Sequence, residues 1–202
     1  MDFLAGHNYH VYNQGNNREL IFFEEQDYLL FLRKMKKALH PHCSILAWCL
    51  MPNHFHWLIN INSDYKTLYD VNSRSKKLNP LNKDIASLLS SYTQVINKKM
   101  GRTGSLFRKR TKAKSIDEER DKHDEYLLNC FIYIHQNPLK AGLVDKLESW
   151  KFSSYRDYCE LRHGSLCDIG FSKNLLHLPE SAQNFHKLSH QTIPKYFERK
   201  IY

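Results

Sequence analysis

No C-x-x-C pair, no G-x-x-x-x-G-K-[ST] loop, no internal repeat and no low-complexity tract occurs in these 202 residues. The first absence removes the usual spacing of a zinc ribbon or thiol redox pair, and the second removes the glycine cradle for ATP phosphates. The opening MDFLAGHNYH has neither a cationic start nor an apolar run of signal-peptide length, so a cytoplasmic protein is expected. The longest uncharged run, residues 38–63, could span a bilayer by length, but Pro41, Pro52, Asn53 and four histidines interrupt it. Two strands and a turn explain it better, and no membrane partner is expected. Acidic residues are in deficit too: 21 Asp+Glu against 30 Lys+Arg leave a net charge of +9, while aromatics reach 13%. Such a chain folds, and polyanions are its natural partners.

The length suits one ordinary domain with room for an appendage. Five cysteines, Cys43, Cys49, Cys130, Cys159 and Cys167, are an odd number set mostly among apolar neighbours, which reads as reduced core thiols. His40, His42 and Cys43 are zinc-ligand types, but no second ligand pair follows at zinc-site spacing.

Residues 8–15 have strand propensity and end in a glycine turn, and residues 24–39 carry Tyr28, Phe31, Leu32, Met35 and Leu39 at helical spacing. Residues 44–51 are apolar on both faces, Pro52-Asn53 breaks the run, and residues 54–61 resume it with alternation, predicting an antiparallel pair. After a polar, basic loop over 64–83, Ile85, Leu88, Leu89, Tyr92, Val95 and Ile96 mark one helical face that ends near Gly101. Residues 102–116 read as a loop and a fourth strand. Asp117 is expected to open a helix that Pro138 stops near Gln136. Beyond Tyr158 the pattern weakens to small helices at best. The expected fold is α+β, helices packed on an antiparallel sheet, with a domain over 1–158 and a C-terminal extension over 159–202 of unknown role.

Two histidines stand inside the apolar stretch CLMPNHFHWLIN. On a strand, Phe55, Trp57, Ile59 and Ile61 share one face, which reads as core, while His54, His56, Leu58 and Asn60 share the other. Residues i and i+2 are roughly 6.6 Å apart along a strand, so two imidazoles can lean onto one ion. H-x-H alone also describes two partly exposed histidines on a sheet face. Downstream, Tyr133 and Asn137 lie one helical turn apart, with Tyr126 and Cys130 on the same side and Leu127, Phe131 and Ile134 forming the adjacent apolar stripe. By themselves these are a boundary tyrosine and an asparagine before proline.

Together, HVYNQGNNRELIF, MPNHFHWLI, GRTGSLFRKR, YIHQNPLKAGLV and WKFSSYRDY, spanning residues 8–158 in order, make the chain similar to the single-tyrosine HUH transposases, especially the REP-associated tyrosine transposases. The resemblance implies a ferredoxin-like or RRM-like domain with the H-x-H on a central strand and a nucleophilic tyrosine on a neighbouring helix. It places the nucleophile at Tyr133, metal-binding histidines at His54 and His56, and a third polar ligand at Asn137. Tyr92 is the competing tyrosine, but its position lies on an apolar helical face. The implied activity is cleavage and rejoining of single-stranded DNA at hairpin-forming palindromes through a 5′-phosphotyrosine, by a monomer or homodimer. Imidazole and amide-oxygen ligands suit Mg²⁺ or Mn²⁺.

KKMGRTGSLFRKRTKAK carries eight cationic residues and no acidic one, the footprint of a phosphate-tracking surface. Arg18, Arg102, Arg108, Lys109, Arg110 and Lys112 are therefore expected to contact DNA. Arg74, Lys76 and Lys77 extend the patch, and Asn13, Asn16 and Asn17 are candidate base readers. Three rival readings share parts of this pattern. They are a non-catalytic nucleic-acid-binding module that stacks bases on Phe107 and tyrosines, a metal-dependent hydrolase that uses water, and a carboxylate-triad transposase, which leaves the H-x-H and tyrosine without a role.

Overall fold

A computed structural model of the chain describes residues 2–65, 79–117 and 123–200, without the side chains of 123 and 198–200. Arg74, Lys76 and Lys77 lie outside the described residues. The element order is β1 (Asn8–Gln14), α1 (Glu25–Leu39), β2 (Cys43–Met51), β3 (His54–Ile61), α2 (Pro80–Met100), β4 (Lys112–Ser115) and α3 (His123–Lys140). The short helices α4 (Tyr155–Tyr158), α5 (Ile169–Leu176), α6 (Ala182–Ser189) and α7 (Lys195–Lys200) follow. The sheet runs β2-β3-β1-β4 with every neighbouring pair antiparallel. This is the ferredoxin-like α+β arrangement, with β1 and β3 in the middle.

Alternation on β3 decides the layering. Phe55, Trp57, Ile59 and Ile61 join Val11 of β1, and Ile45, Trp48 and Leu50 of β2, in a core with Phe31 and Met35 of α1 and Ile85, Tyr92 and Ile96 of α2. A register shift between Ile45 and Ala47 turns Leu46 and Ala47 to the opposite face, which accounts for the strand's apolar character on both sides. There Leu58, Cys49 and Met51 pack with Leu127, Cys130, Phe131 and Ile134 of α3, and with Leu176, Phe185 and Phe197 from the segment after Tyr158. Both sheet faces are therefore covered, and α3 lies across β2 and β3.

Two helix boundaries differ from the sequence reading. The helix expected from about residue 85 starts at Pro80, because the Asn79 side chain accepts the Leu81 N–H at 3.2 Å and proline fits the first helical turn. The polar residues Asn82, Lys83 and Asp84 disguise that first turn as loop. At its other end α2 closes on Gly101 in the left-handed region, φ 62°. The helix expected over 117–136 is described from His123 and runs through Pro138 to Lys140. Proline that late removes a single intrahelical bond, and the helix ends instead at Gly142 (φ 67°). There the Gly142 N–H reaches the Leu139 carbonyl and the Leu143 N–H the Pro138 carbonyl, each at 3.0 Å. Asp117 is in a turn and accepts the Asn8 N–H at 2.6 Å. No helix among the described residues is long and apolar enough to cross a membrane.

Candidate active site

His54 and His56 project from β3 toward α3, their ring centroids 5.0 Å apart and nearly perpendicular at 86°. Each has its Nδ1 occupied. The Nδ1 of His54 lies 2.6 Å from Asn53 Oδ1, which can only accept, so the proton sits on Nδ1 and the lone pair on Nε2. The Nδ1 of His56 lies 2.8 Å from Nε2 of His10, a fully buried residue of β1. The β1–β3 register opposes Tyr12 to His56 and His10 to Leu58, so His10, Tyr12 and Gln14 share the face of the histidine pair. Tyr12 stacks on His10 at 4.9 Å, and His10 lies nearly parallel to His56 at 5.0 Å.

Burial keeps these imidazoles neutral. His10 is lowered to about 3 by desolvation, helped by the Lys114 charge. His56 lies well below its ordinary value through desolvation and its two histidine neighbours. His54 is lowered by desolvation too, against an upward push from its contact with Asn137.

α3 supplies the other wall. The Tyr133 ring stands 5.8 Å from the His56 ring at 88°, with Lys140 Nζ 5.5 Å from the phenol centroid. Asn137, one turn on, reaches His54. The four residues singled out as Tyr133, His54, His56 and Asn137 are thus brought together, although 77 positions separate His56 from Tyr133 (133 − 56). Tyr133 is only 6% exposed and forms part of the packed α3 face. Tyr92, the competing tyrosine, is buried in the opposite layer with its hydroxyl donating to the Ile21 carbonyl at 2.7 Å.

The side chains present fit a small divalent cation. Nε2 of His54 and the Asn137 amide nitrogen are buried without a hydrogen-bond partner, a situation that costs about 1–3 kcal/mol per group unless something satisfies it. Rotating the amide presents Oδ1 instead with almost no change of shape. Ring nitrogens whose far sides are hydrogen-bonded, as here by Asn53 and His10, are oriented as metal-ligating histidines are. Among the described residues no three His, Cys, Asp or Glu side chains are placed to hold one metal ion, so a third protein donor must be of another type, and Asn137 stands in place for it. The zinc-like trio does not assemble. His42 pairs with Asp84 at 2.7 Å, His40 meets the Leu166 carbonyl, and the buried Cys43 thiol, pushed up by desolvation, donates to the Leu39 carbonyl.

In front of the histidines is a cleft of about 500 Å³, lined by Tyr12, Gln14, Arg18, His54, His56, Arg108, Arg110 and Lys112. Four of the six expected DNA-contacting cations therefore surround it. Lys109 turns to a neighbouring groove, and Arg102 lies 3.6 Å from Glu19. Asn13, buried with both ends of its amide engaged, is not free to read bases, whereas Asn16 commits one amide N–H. The Asn13 amide donates to the Arg108 carbonyl and Thr111 Oγ1 while its Oδ1 accepts the Gln14 N–H, and the Asn16 amide donates to the Ser105 carbonyl. Asn17 sits in the left-handed region of the Asn16–Arg18 turn, φ 53°. Phe107 is 4% exposed and cannot act as a stacking platform. His10 escaped the sequence reading. The alternation His10, Tyr12, Gln14 was visible, but which strand would lie beside β1 was not.

No protein-family model matches the chain, and neither does any curated protein. Among solved structures, one described as "Structure of the REP associates tyrosine transposase bound to a REP hairpin" matches with TM-score 0.55 and 17% identity, covering 84% of this chain and 92% of that one. At that identity the likeness establishes a common fold.

Proposed function

We propose that the chain is a metal-dependent, single-strand DNA nicking and joining enzyme of transposase type, acting in the cytoplasm at hairpin-forming DNA with Tyr133 as nucleophile. The carrying observation is the placement of Tyr133 on α3, 5.8 Å from His56 across a histidine pair whose Nδ1 atoms are already engaged. The DNA hairpin named with the solved structure of the same fold, and the cations around the cleft, support the choice of substrate.

Arg18, Arg108, Arg110 and Lys112 hold the strand by its phosphates. His54 and His56 would hold a Mg²⁺ or Mn²⁺ ion through Nε2, with Asn137 as third ligand. Such an ion would supply Lewis-acid polarisation of the scissile phosphate and offset its charge, which matters because a phenol, with a reference pKa near 10, is a weak nucleophile at neutral pH. Tyr133 Oη loses its proton and bonds to phosphorus while the bond from phosphorus to O3′ breaks. The O3′ leaves as a 3′-hydroxyl, and the 5′ end remains as a phosphotyrosine. One phosphoester replaces another, so no nucleotide triphosphate is needed, and attack by a different 3′-hydroxyl completes transfer. That Tyr133, His54, His56 and Asn137 come from one chain supports action as a monomer.

The burial of Tyr133 favours one alternative, a binding module on the same fold that does not cleave. Mn²⁺ and single-stranded DNA flanking a hairpin separate the two. Nicking is expected to leave an adduct that survives denaturing gels and disappears with EDTA and in Tyr133→Phe. Tight binding with no adduct supports the module, and an adduct that persists in Tyr133→Phe removes Tyr133 from the role.

A further inference from the structure

One face anchors α6: Phe185 and Ser189, a helical turn apart, are each 1% exposed, and Phe185 packs with the residues of α3. The neighbouring face turns outward and carries His186 and His190, also a turn apart and both exposed. Their ring centroids lie 4.2 Å apart with the planes tilted by 31°. Histidines at i and i+4 on one helical face have the spacing with which a helix offers two imidazoles to a single zinc ion. Neither residue lines the cleft in front of His54 and His56, and neither enters the reaction proposed above.

His190 is held ready. Its Nδ1 lies 2.7 Å from the His186 carbonyl oxygen, which can only accept, so the proton sits on Nδ1 and the lone pair is left on Nε2. Metal-ligating histidines are fixed by a hydrogen bond of this kind from the other ring nitrogen. The backbone beneath is fixed as well, because the Gln136 amide of α3 donates to the Ser189 and Gln191 carbonyls, each at 2.9 Å, on either side of His190. Tautomer and position are therefore set at His190, and only the exposed His186 ring has to turn for its own nitrogen to converge with that Nε2. Among the described residues no third His, Cys, Asp or Glu is placed to join the pair, so water fills the remaining positions around an ion.

We propose that His186 and His190 form a metal site separate from the His54 and His56 pair, open to solvent and taking Zn²⁺, Ni²⁺ or Cu²⁺ through the two Nε2 atoms. Imidazole suits these ions, and Cu²⁺ binds most tightly in the usual order of divalent metals. Mg²⁺ and Mn²⁺ are poor occupants, because the pair lacks an oxygen donor such as the one Asn137 offers the other histidines. An ion here spans the end of α6 and braces the stretch that Gln136 grips. The unfolded chain does not hold the two rings a turn apart, so the ion favours the folded state by mass action.

Calorimetry and electron paramagnetic resonance with Cu²⁺ test this on the full chain, using His54→Ala with His56→Ala as a background that silences the first pair. That background is expected to bind Cu²⁺ with two nitrogen ligands in the copper spectrum. Adding His190→Gln, at an exposed position, should weaken binding by about tenfold or more, the least that loss of an orienting partner ordinarily costs a metal site, and leave a single nitrogen ligand. In the otherwise unaltered chain His190→Gln should remove one Cu²⁺ equivalent and most of the rise in melting temperature that Zn²⁺ produces, an arm that holds even where the background variant folds poorly. Cu²⁺ affinity, stoichiometry and Zn²⁺ stabilisation that are equal with and without His190 would overturn the proposal. A missing covalent adduct would sink the nicking reading while leaving this result intact.

Discussion

Replacing His10 with phenylalanine isolates the support beneath the histidine pair. The ring is retained, so stacking with Tyr12 at 4.9 Å and the parallel contact with His56 at 5.0 Å survive. What disappears is the nitrogen 2.8 Å from His56 Nδ1. The two imidazoles share one proton along that contact. If His10 donates, His56 must carry its own proton on Nε2 and cannot ligate; if His56 donates, its Nε2 lone pair faces the site. Ion binding therefore selects the form in which His10 accepts. In His10→Phe that form has a buried N–H with no acceptor, costing about 1–3 kcal/mol, and loss of a supporting partner ordinarily weakens metal affinity by about 10–100-fold. Calorimetric titration with Mn²⁺ should show that loss, with partial recovery in His10→Gln, whose side-chain oxygen can accept at a similar reach. A natively folded His10→Phe with wild-type Mn²⁺ affinity would refute the coupling.

Other consequences are open to direct measurement. His135 is 1% exposed, hydrogen-bonded to Ser154 at 2.8 Å and lowered to about 3 by desolvation from 6.5. Below pH 6.5 the unfolded chain takes up a proton that the folded one refuses. Stability is then full above about 6.5 and falls by about 1.4 kcal/mol per unit toward pH 3, or about 2 kcal/mol by pH 5. Urea melts of His135→Gln should be less steep in pH, and identical profiles would contradict the burial. Replacing Arg108, Lys109 and Arg110 with glutamine should reduce the salt slope of DNA binding by up to about 3, and an unaltered slope would take that segment off the DNA. Tyr92→Phe, which loses a buried bond to the Ile21 carbonyl, should cost about 1 kcal/mol in a melt and leave adduct formation intact. An abolished adduct in a folded variant would point to Tyr92.

What could be read in advance follows from which physics is local. The face of β3 carrying His54 and His56 was legible because strand alternation needs only neighbouring residues, and the apolar Phe55, Trp57, Ile59 and Ile61 announced which side was core. The same logic put Tyr133 and Asn137 on one side of a helix. Pro138 misled because a rule for helix interiors was applied to a last turn, where Gly142 does the stopping. The start of α2 was hidden since Asn79-Pro80 is a cap only in hindsight of the polar turn that follows it. Non-local pairings were not legible. Only the register of β1 against β3 brings His10 to His56, and only the stitching of residues 108–111 to β1 shows that Asn13 has spent its amide internally. The burial of Phe107 and the packing of Phe185 and Phe197 under α3 likewise depend on tertiary neighbours that no periodicity reports.

Covalent attachment of DNA to Tyr133 can be read by mass spectrometry of the protein after reaction with Mn²⁺ and hairpin-flanked single-stranded DNA, followed by proteolysis and nuclease trimming. A nucleotide mass on the peptide containing Tyr133, attached through a 5′ phosphate, is the expected result. Cleavage that leaves a free 5′ phosphate and an unmodified Tyr133, or an adduct on Tyr12 of the cleft, would contradict it.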